Sequence, residues 1–177
     1  MLFRRQRYKL APAFFDRNLY FYQTLSIMNY SELKKQLLQA CYELIHSQAD
    51  AAKMAMNEHQ QAANDYGAPK DRYDSFRAQN MLKRDMFAQQ YQRALNNIEV
   101  MGKIDFEKSG STIGPGSLVV TDSAILLVGI GLGKVRVMET DCFVISSQVP
   151  LFKHISGLKK GDEYSFNGLK TKIVDVI

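Results

Sequence analysis

Apolar side chains recur every seven residues along the first half of the chain after Met28. From Ser31 to about Asn64 there is no proline or glycine, and good helix formers such as Ala, Gln, Leu, Lys, Glu and Met dominate. Ser31 is a suitable residue to cap such a helix. The spacing predicts a heptad seam that is apolar near its start and diluted by small and polar residues toward its end. Its positions are Tyr30, Leu37, Leu44, Ala51 and Glu58, interleaved with Cys41, Gln48, Ala55 and Ala62.

A second stretch without glycine or proline runs from Lys70 to Met101. Gly67 and Pro69 separate it from the first stretch, as a helix terminator followed by a restart. Each stretch is most apolar at the end away from this break, so we expect two helices folded back into an antiparallel coiled-coil hairpin. Each arm of about 32 residues would be roughly 48 Å long, with a polar tip near residues 65–74. The apolar positions of the second arm are Phe76, Phe87, Tyr91, Ala94, Ile98 and Met101.

Glycine and short β-rich runs dominate the chain from Lys103 onward. Pro150–Ile155 is typical of a helical turn, and Asn167-Gly168 is a strong signal for a two-residue β-hairpin. The sequence therefore predicts an α+β fold, in which a hairpin at residues 28–102 precedes a small, mainly antiparallel β domain at residues 103–177. The predicted strands are Ser117–Val120, Ala124–Val128, Lys134–Met138, Cys142–Ser146, Glu163–Phe166 and Thr171–Val176.

The net charge of +5 comes almost entirely from the first 27 residues. They hold five basic residues and one acidic residue, together with seven of the 19 aromatic residues, whereas residues 28–177 hold 18 basic and 17 acidic residues. Polar residues interrupt every candidate signal-peptide core, and no stretch is long and apolar enough to span a membrane. We interpret residues 1–27 as an upstream extension before a folded protein that begins at Met28; a membrane-surface or nucleic-acid-binding arm is the alternative.

No motif of a self-contained enzyme is present. Cys41 and Cys142 are too few for a disulfide framework and lack metal-ligand spacing, which favours two buried thiols in a reducing cytoplasm. His46, His59 and His154 form no zinc pattern. The run from Gly129 to Lys134 lacks the spacing of a phosphate-binding loop and is better explained as a turn between strands.

Charged residues cluster around the break between the two predicted helices. Carboxylates at the end of a rod suit a Mg²⁺ ion that another molecule already partly holds, whereas acids in the first turn of the second helix would simply complement its dipole. The basic members are candidate RNA contacts or a solvated surface. The cluster consists of Asp65, Lys70, Asp71, Arg72, Asp74 and Arg77, whose charges cancel.

The C-terminal half resembles the Gre transcript-cleavage factors of bacterial RNA polymerase. Three segments carry the resemblance: Val144-Ile-Ser-Ser-Gln-Val-Pro-Leu151, Gly157-Leu-Lys-Lys-Gly-Asp-Glu163 and the terminal Ile173-Val-Asp-Val-Ile177. The likeness extends over Met28 to Ile177 when the hairpin is included. It implies an FKBP-like C-terminal domain that docks on the polymerase rim, and a coiled coil that enters the secondary channel.

The resemblance also implies specific roles for several residues. Ser147, Pro150 and Leu151 are the expected docking residues. Asp71 and Asp74 fall where the family has catalytic acids, with Asp71 and Asp65 as candidate ligands of a Mg²⁺ ion shared with the polymerase active centre. Lys70, Arg72 and Arg77 are the candidate RNA contacts. The chain would have no cofactor and no enzymatic activity of its own, and would at most stimulate RNA cleavage by the polymerase.

The tip departs from the family at one position. Ala68 stands where the resemblance has the first metal-binding acid. The expected function is a monomeric, cytoplasmic elongation factor that binds RNA polymerase, contacts RNA only indirectly and does not bind membranes. Two alternatives remain: a cleavage-inactive regulator like the Gre-homologous and Rnk-type factors, or a coiled-coil adaptor or chaperone that binds another protein.

Overall fold

The computed structural model describes residues 29–68, 70, 75–107 and 110–177 of the chain. The predicted tail at residues 1–27 lies outside these described residues. Two long helices precede a six-stranded sheet, so the mixed α+β class is confirmed, and each strand lies within a residue or two of a predicted run. The helices are α1 (Tyr30–Tyr66), α2 (Phe76–Lys103) and α3 (Pro150–Ile155); the strands are β1 (Leu118–Thr121), β2 (Ile125–Gly129), β3 (Gly133–Val137), β4 (Thr140–Ser146), β5 (Glu163–Phe166) and β6 (Leu169–Val176).

The two long helices pack against each other in antiparallel directions. Tyr66 at the end of α1 contacts Phe76 at the start of α2, whereas Met101 near the end of α2 shares a core cluster with Leu37 near the start of α1. The helices have 37 and 28 residues, which correspond to about 55 Å and 42 Å. The cap of α1 is Asn29 rather than Ser31, because the Asn29 side chain accepts from the backbone N–H of Ser31 and of Glu32.

The predicted seam of α1 is wrong in its phase. Leu37 and Cys41 are buried as predicted, but Leu44 is 37% exposed, and Ala51 and Glu58 are exposed as well. The predicted repeat includes Tyr30 and Leu44. Along most of the helix, the residues that are buried lie one position later in the chain than the residues of this repeat. The buried residues of α1 are Leu33, Lys34, Leu37, Cys41, Ile45, Ala49, Ala52 and Ala63.

The sheet has the strand order β3-β4-β2-β1-β6-β5. All neighbouring strands are antiparallel except β2 and β4, which run parallel with Ile125 opposite Cys142. The predicted hairpin at Asn167-Gly168 joins β5 to β6, and both residues have positive φ (51° and 79°), as a tight turn of this type requires. The glycine-rich run at residues 129–134 is the predicted turn between strands, here β2 and β3.

Alternate residues of β2 contribute to two separate hydrophobic clusters. Ile125 and Leu127 belong to the cluster that includes the first half of α1, whereas Leu126 and Val128 belong to the cluster that includes Ile155 of α3. This alternation follows from the two-residue period of a strand. Helices therefore cover both faces of the central strands, and the sheet forms the base from which α1 and α2 project.

The start of α1 is fixed to the sheet by polar as well as apolar contacts. The buried Lys34 ammonium donates to the Ile177 carbonyl oxygen at 3.1 Å, and Ile177 is hydrogen-bonded to Leu118 at the start of β1. Burial lowers the pKa of Lys34, while the nearby Asp105 carboxylate opposes that shift. Cys41 and Cys142 are both free and fully buried, as predicted. Within the described part of the chain, no helix is both long and apolar enough to cross a bilayer.

Candidate functional site

The predicted docking residues lie in and after the short loop that connects β4 to α3. Ser147 and Pro150 are exposed, whereas Leu151 is half-buried and packs against the cluster around Ile155. Pro150 occupies the first turn of α3, where its missing N–H costs no hydrogen bond. The preceding residue, Val149, is extended (φ −71°, ψ 147°), so the chain turns sharply from the strand into the helix. The loop thus presents an exposed hydroxyl and proline on an apolar base.

Phe143 adds an apolar side chain to the strand that leads into this loop. It alternates along β4 with the buried residues Cys142 and Val144, which face α1, and it is itself 39% exposed. Its position on the opposite face of the sheet follows from the period of the strand. The sequence analysis did not single out Phe143. The two-residue period of the predicted strand nevertheless places Phe143 on the opposite face from Cys142 and Val144.

An aromatic contact closes the tip end of the helix pair. The Tyr66 and Phe76 rings lie 4.6 Å apart between centroids, and the Lys70 ammonium lies 5.5 Å from the centre of the Tyr66 ring. Asp65 and Arg77 are exposed residues immediately next to these rings along the chain. Three predicted tip residues, Asp65, Lys70 and Arg77, are therefore held at one end of the helix pair. The other three, Asp71, Arg72 and Asp74, lie outside the described residues.

The described residues do not assemble a metal site at the tip. Among the described residues, no group of three or more His, Cys, Asp or Glu side chains is arranged to hold an ion. Asp65 is the single predicted metal ligand within them, and Ala68 is exposed and supplies no ligand oxygen. The first turn of α2 contains no acidic residue. Binding of a Mg²⁺ ion therefore stays a prediction that depends on Asp71.

A polar layer crosses the helix pair between the tip and the sheet, and the sequence analysis missed it. The His59 Nδ1 and Asn80 Oδ1 atoms are 3.0 Å apart, and the His59 ring stacks on Phe87 with 5.6 Å between centroids. Next to this pair, Arg84 Nη1 donates to Gln60 Oε1 at 2.8 Å. Asn80 precedes Phe87 by seven residues, a spacing that would have placed it in the seam.

A groove of about 450 Å³ runs along one side of the helix pair, between the polar layer and the sheet. Its α1 wall includes Gln48 and Ala51, two exposed positions of the predicted seam. The stripe on which they lie therefore borders the packed seam and remains open. The groove is lined by Gln48, Ala51, Ala52, Phe87, Gln90, Arg93, Ala94 and Asn97.

Comparison with known proteins gives a likeness of fold alone. No protein-family model matches the chain, and no curated protein matches it. The chain is similar to two solved structures. The first is described as the transcription factor Gfh1 (TM-score 0.32), and the second as GreA factor homolog 1 (Gfh1) of Thermus thermophilus (TM-score 0.29). In both cases the identity is 20% and 77% of this chain is covered, with 93% and 94% of the other chain. Values this low say nothing about a shared activity.

Proposed function

We propose that this chain binds RNA polymerase and regulates transcript elongation by inserting its helix pair into the secondary channel. The observation that carries the proposal is the projection of α1 and α2 from a sheet that anchors one end of the pair. α1 alone is about 55 Å long, and the charged residues Asp65, Lys70 and Arg77 lie at the far end of the helix pair. A rod with this construction is suited to reach a buried site while the sheet stays outside.

The β4–α3 loop supports a docking role for the sheet. Ser147 and Pro150 are exposed, and they lie in the segment that resembles the Gre factors most specifically. Leu151 contributes to the apolar base beneath them. On this proposal the FKBP-like domain of the Gre factors corresponds to the six-stranded sheet with α3, and the coiled coil corresponds to α1 and α2.

The proposed effect on the polymerase is regulation, with weak or absent stimulation of RNA cleavage. Ala68 replaces the first of the two metal-directed acids, and both charge and ligand number set the affinity of a carboxylate site for a divalent cation. Asp65, in the last turn of α1, is the candidate replacement ligand beside Asp71. Any Mg²⁺ would be the ion shared with the polymerase, where it supplies an activated water, and this chain would remain an accessory factor rather than an enzyme.

Binding to bacterial RNA polymerase in stalled, backtracked elongation complexes tests the proposal directly. The wild-type chain is expected to co-purify with these complexes on gel filtration. Ser147→Glu places a charge in the docking loop and is expected to weaken binding about tenfold, equivalent to about 1.4 kcal/mol. Ser165→Glu, at an exposed position of β5, is the matched control and should bind like wild type. Failure of the wild-type chain to bind would overturn the proposal and favour an adaptor or chaperone.

The same complexes, incubated with Mg²⁺, distinguish cleavage from regulation without cleavage. Short 3′ RNA fragments that disappear with Asp71→Ala would assign cleavage stimulation to the tip. Binding without fragments, together with altered elongation or pausing, is the result we expect from the loss of the acid at position 68. Restoring that acid with Ala68→Asp is expected to increase fragment yield, and an unchanged yield would contradict the assigned role of position 68.

A further inference from the structure

We infer that the hydrogen-bonded pair of His59 and Asn80 is a register pin, which holds α1 and α2 in one longitudinal register and thereby fixes the arrangement of the tip. Asn80 is 9% exposed and lies in the seam of α2, seven residues before Phe87. A polar residue at such a position is costly unless its hydrogen bonds are made. The inference concerns the helix pair itself and stands whether or not the chain binds RNA polymerase.

The hydrogen-bond network assigns a direction to the contact. Asn80 Nδ2 donates to the Phe76 carbonyl oxygen at 3.0 Å, so Asn80 Oδ1 is the acceptor. The partner at 3.0 Å, His59 Nδ1, is therefore the donor. The flat face of the His59 ring stacks nearly parallel to Phe87, with 10° between the planes. One hydrogen bond and one ring stack thus orient the same imidazole, and both partners are on the opposite helix.

The small buried apolar residues of the seam in this part of the pair offer little resistance to sliding. The buried residues of α1 between Ile45 and the tip are alanines, at positions 49, 52 and 63, and Ala94 of α2 lines the same groove as Ala52. Small apolar side chains interlock weakly, and their attraction has no direction. Displacing one helix by a single turn moves it by about 5.4 Å and exchanges one alanine contact for another. The same displacement breaks the His59–Asn80 bond, so that the His59 N–H and the Asn80 Oδ1 lose each other as partners, while Asn80 Nδ2 keeps its bond to Phe76 of the same helix.

The position of the pair makes the register important for the tip. Leu37 and Met101, buried in the sheet cluster, hold the opposite ends of the helices, so the pin acts on the half of the pair that leads to the tip. His59 lies six residues before Asp65, and Asn80 lies three residues after Arg77. The pin is a buried hydrogen bond close to the tip, and together with the Tyr66–Phe76 ring contact it sets which charged side chains of the two helices lie side by side. Buried polar pairs have this role in other helix pairs.

Distance measurements between spin labels test the inference in the full-length chain. Labels at the exposed positions 57 and 83, introduced as Asn57→Cys and Lys83→Cys with Cys41 and Cys142 replaced by valine, report the register of the two helices. The unmodified pair is expected to give one narrow distance distribution. Asn80→Leu is expected to broaden it or add a second population displaced by about one helical turn, roughly 5 Å, with helix content retained.

Two further variants make the outcome decisive. Asn96→Leu is the matched control, because Asn96 is an exposed amide bonded to Gln92 of the same helix, and it should leave the distribution narrow. His59→Leu combined with Asn80→Leu removes both polar groups, and we expect a melting temperature at or above that of the wild type together with a broad distribution. A narrow, unshifted distribution in the double variant would overturn the inference. Loss of helix content in the double variant would do so too, because the pair would then be needed for folding rather than for register.

Discussion

The two ends of the helix pair are held by different kinds of interaction. At the sheet end, Leu37, Cys41, Ile45 and Met101 are essentially fully buried in one cluster with the strands. Toward the tip, the contacts between helices include the His59–Asn80 bond, the Gln60–Arg84 bond and the ring contact of Tyr66 with Phe76. Burial of apolar area stabilises without regard to direction, whereas hydrogen bonds and ring contacts depend on geometry. The sheet end therefore provides stability and the tip end provides precision.

The largest effect is expected at the sheet end. Leu37→Ala removes a fully buried side chain from the shared cluster and leaves a cavity, so we expect it to lower the free energy of unfolding by about 2–5 kcal/mol. Urea denaturation followed by circular dichroism measures this change. Leu82→Ala is the control, since Leu82 is 64% exposed on α2, and its effect should stay within about 0.5 kcal/mol. Similar losses in the two variants would mean that the sheet end is not the stabilising region.

The buried thiols make the sheet end sensitive to alkaline pH. Burial and the neighbouring Cys142 raise the pKa of Cys41 to about 11, and burial followed by the Asp141 charge raises the pKa of Cys142 to about 11. The folded state therefore holds protons that the unfolded chain releases from about pH 9 upward. Each thiol contributes stability that is fully present below pH 9 and is lost as pH rises through 11, at up to about 1.4 kcal/mol per pH unit.

Cys41→Val tests this pH dependence at nearly constant volume. The free energy of unfolding of the variant is expected to fall less steeply between pH 9 and pH 11 than that of the wild type, whatever its value at pH 7. Cys142→Val should have the same effect on the slope, and the two changes together should flatten it further. Equal slopes in all three proteins would contradict the proposed thiol contribution.

A smaller and more local effect is expected at the tip end. Phe76→Ala removes the ring contact with Tyr66, and such contacts contribute about 0.5–1.5 kcal/mol beyond the area that they bury. Because the sheet end carries most of the buried area, we expect faster hydrogen exchange in the last turn of α1 and the first turns of α2. The unfolding midpoint should change little. Met54→Ala, at a 72% exposed position of α1, is the control and should leave exchange at the tip unchanged.

Local sequence signals predicted most element boundaries, although α1 is capped by Asn29 rather than Ser31 and α2 begins at Phe76 rather than near Lys70. Gly67 ends α1 with the positive φ of a helix end, and a proline two residues later in the sequence cannot continue a helix. Asn167 and Gly168 specify their hairpin in the same way. These signals depend only on residues that are close together in the chain. A single sequence is therefore sufficient to predict them. The parallel pairing of β2 with β4 joins strands that are not consecutive in the chain. No local sequence pattern in either strand predicts this pairing.

The phase of the seam and the polar layer depended on tertiary context. α1 carries apolar or small residues on two adjacent stripes, one through Leu44 and Ala51 and one through Ile45 and Ala52. The sequence alone does not indicate which stripe packs against α2. The rotation of α1 depends on how its first turns pack against the sheet. Asn80 gives no sequence signal of burial, because a polar residue in a helix is usually exposed. For the candidate site, the motif around Ser147 and Pro150 was sufficient to predict the β4–α3 loop, in which both residues are exposed.

The smallest predicted difference compares two glutamine side chains with similar hydrogen bonds. Gln92 bonds to Asn96 of its own helix, whereas Gln60 bonds both to Asn64 of its own helix and to Arg84 of the other. Bonds within one helix contribute about 0.2–0.5 kcal/mol, and a bond between elements contributes about 0.5–1.5 kcal/mol. Gln60→Ala should therefore destabilise the chain by about 0.5–1 kcal/mol more than Gln92→Ala, as measured by urea denaturation. Equal effects would mean that the Gln60–Arg84 bond does not stabilise the tip end.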